Sequence, residues 1–171
     1  WIECDINSNN LNSYSILPDG RVIAFENTYD DQTQTNTMQL IVMTRVDAAS
    51  VVNKTVLTFA CMYLDWNMRD AIVKFNRASN THRIVVRDYS EYNTDDDYTA
   101  GIQKLNTEML SGKLPDMIDI NTYSMPIEQY AAKGFLTDLY ELIDADADLS
   151  REDFVQPVLK ALESADGKLY Q

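Results

Sequence analysis

Thr55-Val56-Leu57-Thr58-Phe59-Ala60-Cys61-Met62 is the stretch on which the fold turns. It is a continuous β-prone run without alternation, the profile of a strand covered on both faces. The pattern then changes. Met68, Ala71, Ile72 and Phe75 fall at i, i+3, i+4 and i+7, which predicts a helix over 65–77 with one apolar stripe. Ile84-Val85-Val86 marks a second strand over 83–87. A second helix is expected over 95–110, with Tyr98, Ile102, Leu105 and Met109 on one face. Asp95-Asp96-Asp97 would complement its dipole, and Gly112 would end it. Pro115-Asp116 introduces a third strand over 117–120. A third helix carries Pro126 in its first turn, apolar Ile127, Tyr130 and Ala131, and Gly134 just past its end. Residues 135–143 read as a further helical or turn-like segment. Ser150 and Asp153 have the spacing of a capping box, opening a helix that reaches about 164. Residues 165–168 form a turn, and Leu169-Tyr170-Gln171 opens another strand.

From residue 54 the order is therefore β-α-β-α-β-α-α-α-β, which predicts an α/β fold. Right-handed crossovers would place helices on both faces of a mostly parallel, three-layer sheet. Ligands of such sheets bind outside the carboxyl ends of the strands, at the topological switch point. That selects two loops. Tyr63, Asp65, Trp66 and Asn67 follow the first strand, and Asn121, Thr122 and Tyr123 follow the third. Tyr and Trp offer flat faces for sugar C–H groups together with polar tips, and Asp accepts from hydroxyls. The same residues also read structurally, with Asp65 as a helix N-cap and Trp66 as packing.

Residues 1–53 have a different texture. Ile2, Cys4 and Ile6 alternate with polar neighbours as in a strand, and the Asn- and Ser-rich 7–15 reads as a loop. Pro18-Asp19-Gly20 is a turn signal. Strands are expected over 21–26 and 39–46, separated by a polar loop over 27–37. This short all-β segment looks like the end of a β-propeller-like or other all-β domain. Three strands make no independent domain. An exposed edge there would invite a homo-dimer through the 1–53 strands.

Several segments, in order, resemble the family 1 extracellular solute-binding proteins, which include the maltose- and other oligosaccharide-binding proteins. Leu57-Thr58-Phe59 precedes a Trp-bearing loop, and a helix ends in Ala71-Ile72-Val73-Lys74-Phe75-Asn76. The strand Ile84-Val85-Val86 follows. Leu105 to Asp119 then supplies the helix, the small-residue turn and the Pro-Asp entry into a strand. Glu128 to Leu139 and Gly167-Lys168-Leu169-Tyr170 complete the match, which spans 54–171. The resemblance implies part of the N-terminal lobe of a periplasmic-binding-protein type II fold. It implies capture of a small extracellular solute, an oligosaccharide above all, for delivery to the permease subunits of an ABC importer. It further implies a membrane-anchored lipoprotein parent, no cofactor, no metal and no catalysis. In the family the strand at 169–171 leads to a second lobe, so the chain reads as a piece of a longer protein. A ligand-sensing or adaptor module is the first alternative, motivated by the β segment. An extracellular glycan hydrolase is the second, motivated only by abundant carboxylates.

Composition limits the partners. The chain has 171 residues, 45% of them hydrophobic, enough for a core. A net charge of −13 repels nucleic acid and anionic lipid. Cys4 and Cys61 are the only cysteines, too few and too far apart for a disulfide framework or a zinc site. No run approaches the roughly 20 apolar residues of a membrane span. Neither a signal peptide nor an initiating Met precedes Trp1. Asp144, Asp146 and Asp148 alternate as in a calcium loop, but Leu149 and Val155 stand where Gly and Glu belong, so a solvated acidic linker is expected. Tyr89 and Tyr92 are expected in a solvated loop or at a cleft edge. His82 is the single histidine, with surroundings that look like surface. No phosphate-binding or nucleophile-elbow glycine pattern occurs among the five glycines.

Overall fold

The computed structural model describes residues 1–30, 32–47, 49, 51–120 and 125–171. Three strands form an antiparallel sheet in the order β1-β2-β3: β1 (Leu11–Ile16), β2 (Val22–Asp30) and β3 (Thr35–Met43). A second, parallel sheet follows from β4 (Thr55–Cys61), β5 (His82–Asp88) and β6 (Met117–Ile118), in the order β5-β4-β6. The helices are α1 (Trp66–Ala78), α2 (Ala100–Leu110), α3 (Ile127–Ala132), α4 (Leu139–Ala145) and α5 (Gln156–Leu162). The protein is thus mixed α/β, and the expected β-α-β-α-β-α-α-α order runs from β4 to α5. The last expected strand is only an antiparallel bridge between Glu163 and Leu169. The described residues gather into two compact units. One comprises Trp1–Thr58 with Leu64–Val86, the other Phe59–Tyr63 with Arg87–Gln171.

The first unit departs most from expectation near the amino terminus. Residues 2–4 form a 3-10 turn rather than a strand, closed by Asp5 at φ 57°. Arginines claim its polar groups: Arg83 donates to the Asp5 carboxylate at 2.8 Å and to the Glu3 carbonyl at 2.6 Å. Part of the supposed loop over 7–15 is β1. The supposed loop over 27–37 is largely hairpin, since β2 and β3 pair in unbroken register from Val22↔Met43 to Asp30↔Thr35. Both faces of that tip are solvated, so no alternation marks it. The turn at 18–20 forms as expected, with Gly20 at φ 84° and its N–H on the Leu17 carbonyl.

Helix α1 is rotated from the expected stripe. Ile72, Val73 and Asn76 are its buried residues, while Ala71 and Phe75 are exposed. Asn76 is 1% exposed and fully employed. Its side-chain amide donates to the Ile84 carbonyl at 2.9 Å and accepts from the Ile84 N–H at 2.7 Å. The next residue, Arg77, reaches Glu26 on β2 at 3.2 Å, and Gln39 on β3 donates to the same carboxylate at 2.6 Å. These partners offset the cost of a carboxylate that is 1% exposed.

The second unit packs Ala60, Met62, Tyr89, Ile102, Leu105, Met109 and Tyr130 into one core. Helix α2 starts five residues later than expected, so Asp95-Asp96-Asp97 lies outside it and Tyr98 is exposed. Asp97 instead accepts from the Thr99 N–H at 2.8 Å, holding a turn ahead of the helix. Asn93 supplies the missing cap, its Oδ1 accepting from the Gly101 N–H at 2.8 Å. Gly112 and Gly134, both at positive φ, end α2 and α3 in Schellman motifs: the N–H groups of Lys113 and Phe135 return to the carbonyls of Glu108 and Tyr130. The expected helix over 150–164 is split. Asp153 caps a single 3-10 turn through the Ser150 N–H at 2.8 Å, and α5 begins only at Gln156, with Pro157 in its first turn.

Gly101 is where α2 touches the chain after β5. A Cβ there would lie 2.3 Å from the Tyr89 carbonyl oxygen, backbone that cannot give way cheaply. Gly101→Ala is expected to destabilise the protein by about 1–3 kcal/mol through overpacking. Thermal unfolding followed by circular dichroism should show a fall of about 2–4 °C per kcal/mol. An unchanged midpoint would contradict the packing described.

Candidate functional site

The order β5-β4-β6 places the first parallel strand between the other two. Phe59 pairs with Met117 and Ala60 with Ile118, and the Asp119 N–H continues the ladder to the Ala60 carbonyl at 2.8 Å. The chain leaving β4 passes through Tyr63, whose side chain is 74% exposed, and then buried Leu64. Asp65 is the N-cap of α1, its Oδ1 accepting from the Asn67 N–H at 2.7 Å and the Met68 N–H at 3.1 Å. The capping role weighed from sequence is therefore the one Asp65 plays. Trp66 is not packing: 57% of it is exposed on the first turn of α1. Asn67 is exposed as well. Asn121, Thr122 and Tyr123 lie outside the described residues. What the β4–α1 loop offers is thus two solvent-facing aromatic rings, three residues apart in sequence.

Tyr89 is no solvated loop residue. It is 3% exposed, in a 3-10 turn after β5, because its ring fills the core of the second unit. Its hydroxyl donates to Glu108 at 2.6 Å. Burial first, then that bond to a carboxylate, pushes the phenol up to about 12. Glu108 also takes Lys104 at 3.1 Å and Arg87 at 3.8 Å. The hydrogen bond from Tyr89, followed by that from Lys104, holds the Glu108 carboxyl below the usual range. Lys104 lies 5.7 Å from the ring centre of Tyr92, which remains half exposed. The cluster is internally saturated and structural: each charge faces a partner.

The acidic run near 144–148 is likewise spoken for. Asp144 pairs with Arg151 through both oxygens, and Arg151 sits 3.8 Å over the Tyr140 ring. The bond from Arg151 draws the Asp144 carboxyl down. Asp146 accepts from the N–H groups of Asp148 and Leu149 at 2.9 and 3.0 Å. Among the described residues no three His, Cys, Asp or Glu side chains converge to hold a metal ion. His82 is exposed, with Nδ1 2.8 Å from the Thr81 hydroxyl. Cys61 is buried and Cys4 exposed.

Sequence reading missed the concave surfaces of the second unit. A cavity of about 590 Å³ lies between α3 and α5, with Glu128, Ser164, Asp166 and Tyr170 among its polar walls. An apolar groove of about 580 Å³ runs between α4 and α5 past Leu142, Val155 and Val158. The exposed apolar residues at 154–158 were the available signal for the groove; a helix opened by the Ser150 and Asp153 capping box was read through them instead. Tyr140 on α4 is tied to the residue just past α5 through its hydroxyl, which donates to Glu163 at 2.9 Å.

Compared with known proteins, the chain matches no protein-family model, no curated protein and no solved structure.

The Glu108 cluster makes a prediction about acid. A carboxyl depressed in the folded state contributes stability above its unfolded pKa and loses it as pH falls through the folded value. Glu108→Gln removes that contribution. Urea midpoints measured against pH should show the variant less stable near neutrality, with the gap closing on the acid side once Glu108 itself is protonated. A gap independent of pH would contradict the ionised cluster.

Proposed function

We propose that residues 54–171 form part of one lobe of a periplasmic-binding-protein type II fold that captures a small extracellular solute, an oligosaccharide, without chemistry. The observation that carries the reading is the adjacency of β4 and β6 as parallel neighbours. In a sheet ordered 2-1-3, the chain crosses to one side after its first strand and to the other after its second. The crevice then opens at the carboxyl ends of the first and third strands. Tyr63 and Trp66 follow the first of those ends. Exposed Tyr and Trp rings suit the C–H faces of a sugar, and bury area at small entropic cost because each has few rotatable bonds. With Asp65 committed to the α1 cap, polar recognition falls to the Tyr63 hydroxyl, the Trp66 indole N–H and Asn67. Delivery to the membrane subunits of an ABC importer, from an extracellular membrane-anchored parent, is the role in which such a lobe acts, with a second lobe closing over the ligand.

The chain has two tryptophans, so Trp1→Phe leaves Trp66 as the sole indole. In that background, titration with a panel of neutral oligosaccharides should give a saturable shift of Trp66 emission. One lobe supplies half the contacts, so a dissociation constant of about 1 mM is expected, equivalent to about −4 kcal/mol. Tyr63→Ala should weaken it about tenfold, the loss of about 1.4 kcal/mol. No saturable shift with any oligosaccharide, or a shift untouched by Tyr63→Ala, would overturn the reading.

A further inference from the structure

The cavity between α3 and α5 has charged walls of one sign. Glu128, Glu163 and Asp166 border it, and no Lys, Arg or His stands among its described wall residues. Its volume of about 590 Å³ falls within the range of sites that take small molecules. All of these residues belong to the second unit. None lies in the β4–α1 loop, so a ligand here goes beyond the solute reading and stands without it.

The three carboxylates differ in what they have left to offer. Glu163 is engaged on both oxygens, by the Tyr140 hydroxyl at 2.9 Å and by Lys160 at 2.6 Å. Asp166 takes the Ser164 hydroxyl at 2.6 Å on one oxygen. That bond draws its carboxyl below the usual range, so Asp166 is ionised at neutral pH. Lys168 also favours the charged form, from outside the cavity wall. Glu128, in the first turn of α3, has no side-chain partner among the described residues. Two anions therefore border a cavity that holds no cation of its own. The rest of the wall is apolar: Ile127, Ala131 and Leu162 are half-buried, and Ala131 and Ala161 contribute only methyl groups, which leaves the space open.

We propose that this cavity binds an alkylammonium cation, a primary amine carried on a short aliphatic stem. The ammonium group supplies the charge and the donors that Glu128 and Asp166 lack. The stem covers Ile127 and Leu162, removing apolar surface from water. Other ligand classes fit worse. An anion meets two carboxylates, and a purely apolar ligand desolvates them without a partner. Tyr170 adds an aromatic wall, the ring type that attracts organic cations over its face. The net charge of −13 acts in the same direction, since the field of the whole molecule concentrates cations and repels anions.

Butylamine, protonated at neutral pH, and butanol, its neutral isostere, are the probes. Nitrogen–proton correlation spectra of the chain at low ionic strength should show the amides of 127–132 and 161–170 shifting saturably with butylamine, with a dissociation constant of about 1 mM. Butanol should leave them unmoved at the same concentrations. Glu128 is exposed, so Glu128→Gln keeps the fold and should weaken butylamine about tenfold. Glu141→Gln removes the same charge from an exposed position on α4 outside the cavity, and should change binding less than about twofold because solvent and salt screen it. No saturable shift with butylamine, equal saturation by butanol, shifts spread over the acidic surface at large, or equal weakening by the two variants would each overturn the proposal.

Discussion

The side-chain amide of Asn76 closes the first β-α-β unit. A helix returning to a strand brings an apolar face to the sheet, but an edge strand also presents N–H and C=O groups that must find partners. Asn76 meets both groups of Ile84 at once, as a neighbouring strand would. Lys54, just ahead of β4, donates to the Asn76 carbonyl at 2.8 Å, so the same residue also ties down the entry to the sheet. Arg77 then turns to Glu26 and to the Asp5 carbonyl. One helical turn thus settles the buried carboxylate of Glu26 and the edge groups of Ile84. Its removal would leave donors and acceptors without water, at a cost of about 1–3 kcal/mol for each orphaned group.

The second unit meets the same constraint with different residues. Asn93 caps α2 from eight positions upstream, Tyr89 places its hydroxyl on Glu108, and Tyr130 places its own on Asn106. For the two tyrosines a ring fills the core while its polar tip reaches a partner on α2. The absence of a side chain at Gly101 lets α2 approach the Tyr89 backbone. These contacts leave no carboxylate of the cluster in search of a proton or a ligand. After β4, Tyr63 and Trp66 remain turned to solvent, and rings of that kind are suited to stacking on a neutral solute.

Much of the α/β order was legible in the sequence because burial imposes periodicity. Phe59 to Met62 of the run at 55–62 and the Ile102, Leu105, Met109 face of α2 are core, whereas Thr55 and Val56 are exposed, so the strand is covered on both faces only in its second half. The glycines at 20, 112 and 134 stand where positive φ is needed. Where burial does not impose a pattern, reading failed. The β2–β3 hairpin tip is solvated on both sides, so Asn27-Thr28-Tyr29-Asp30 passed for a loop. Asn76 defeats an apolar-stripe argument because its burial follows from hydrogen bonding. Asp95-Asp96-Asp97 reads as complementing the dipole of a helix start, but α2 begins only at Ala100 and takes its cap from Asn93. At the candidate site, exposure separated residues that sequence had grouped: Asp65 is absorbed by the α1 cap, while Tyr63 and Trp66 face solvent.

The most direct test of solute capture is a nitrogen–proton correlation spectrum of the chain during addition of a neutral oligosaccharide. Trp66 and Trp1 give separate indole N–H signals, one in the first turn of α1 and one at the amino-terminal turn. The account predicts that the Trp66 indole and the amides of 63–67 shift together and saturate, while Trp1 stays still. Shifts confined to the cavity between α3 and α5, or an unmoved Trp66 indole across the panel, would contradict it.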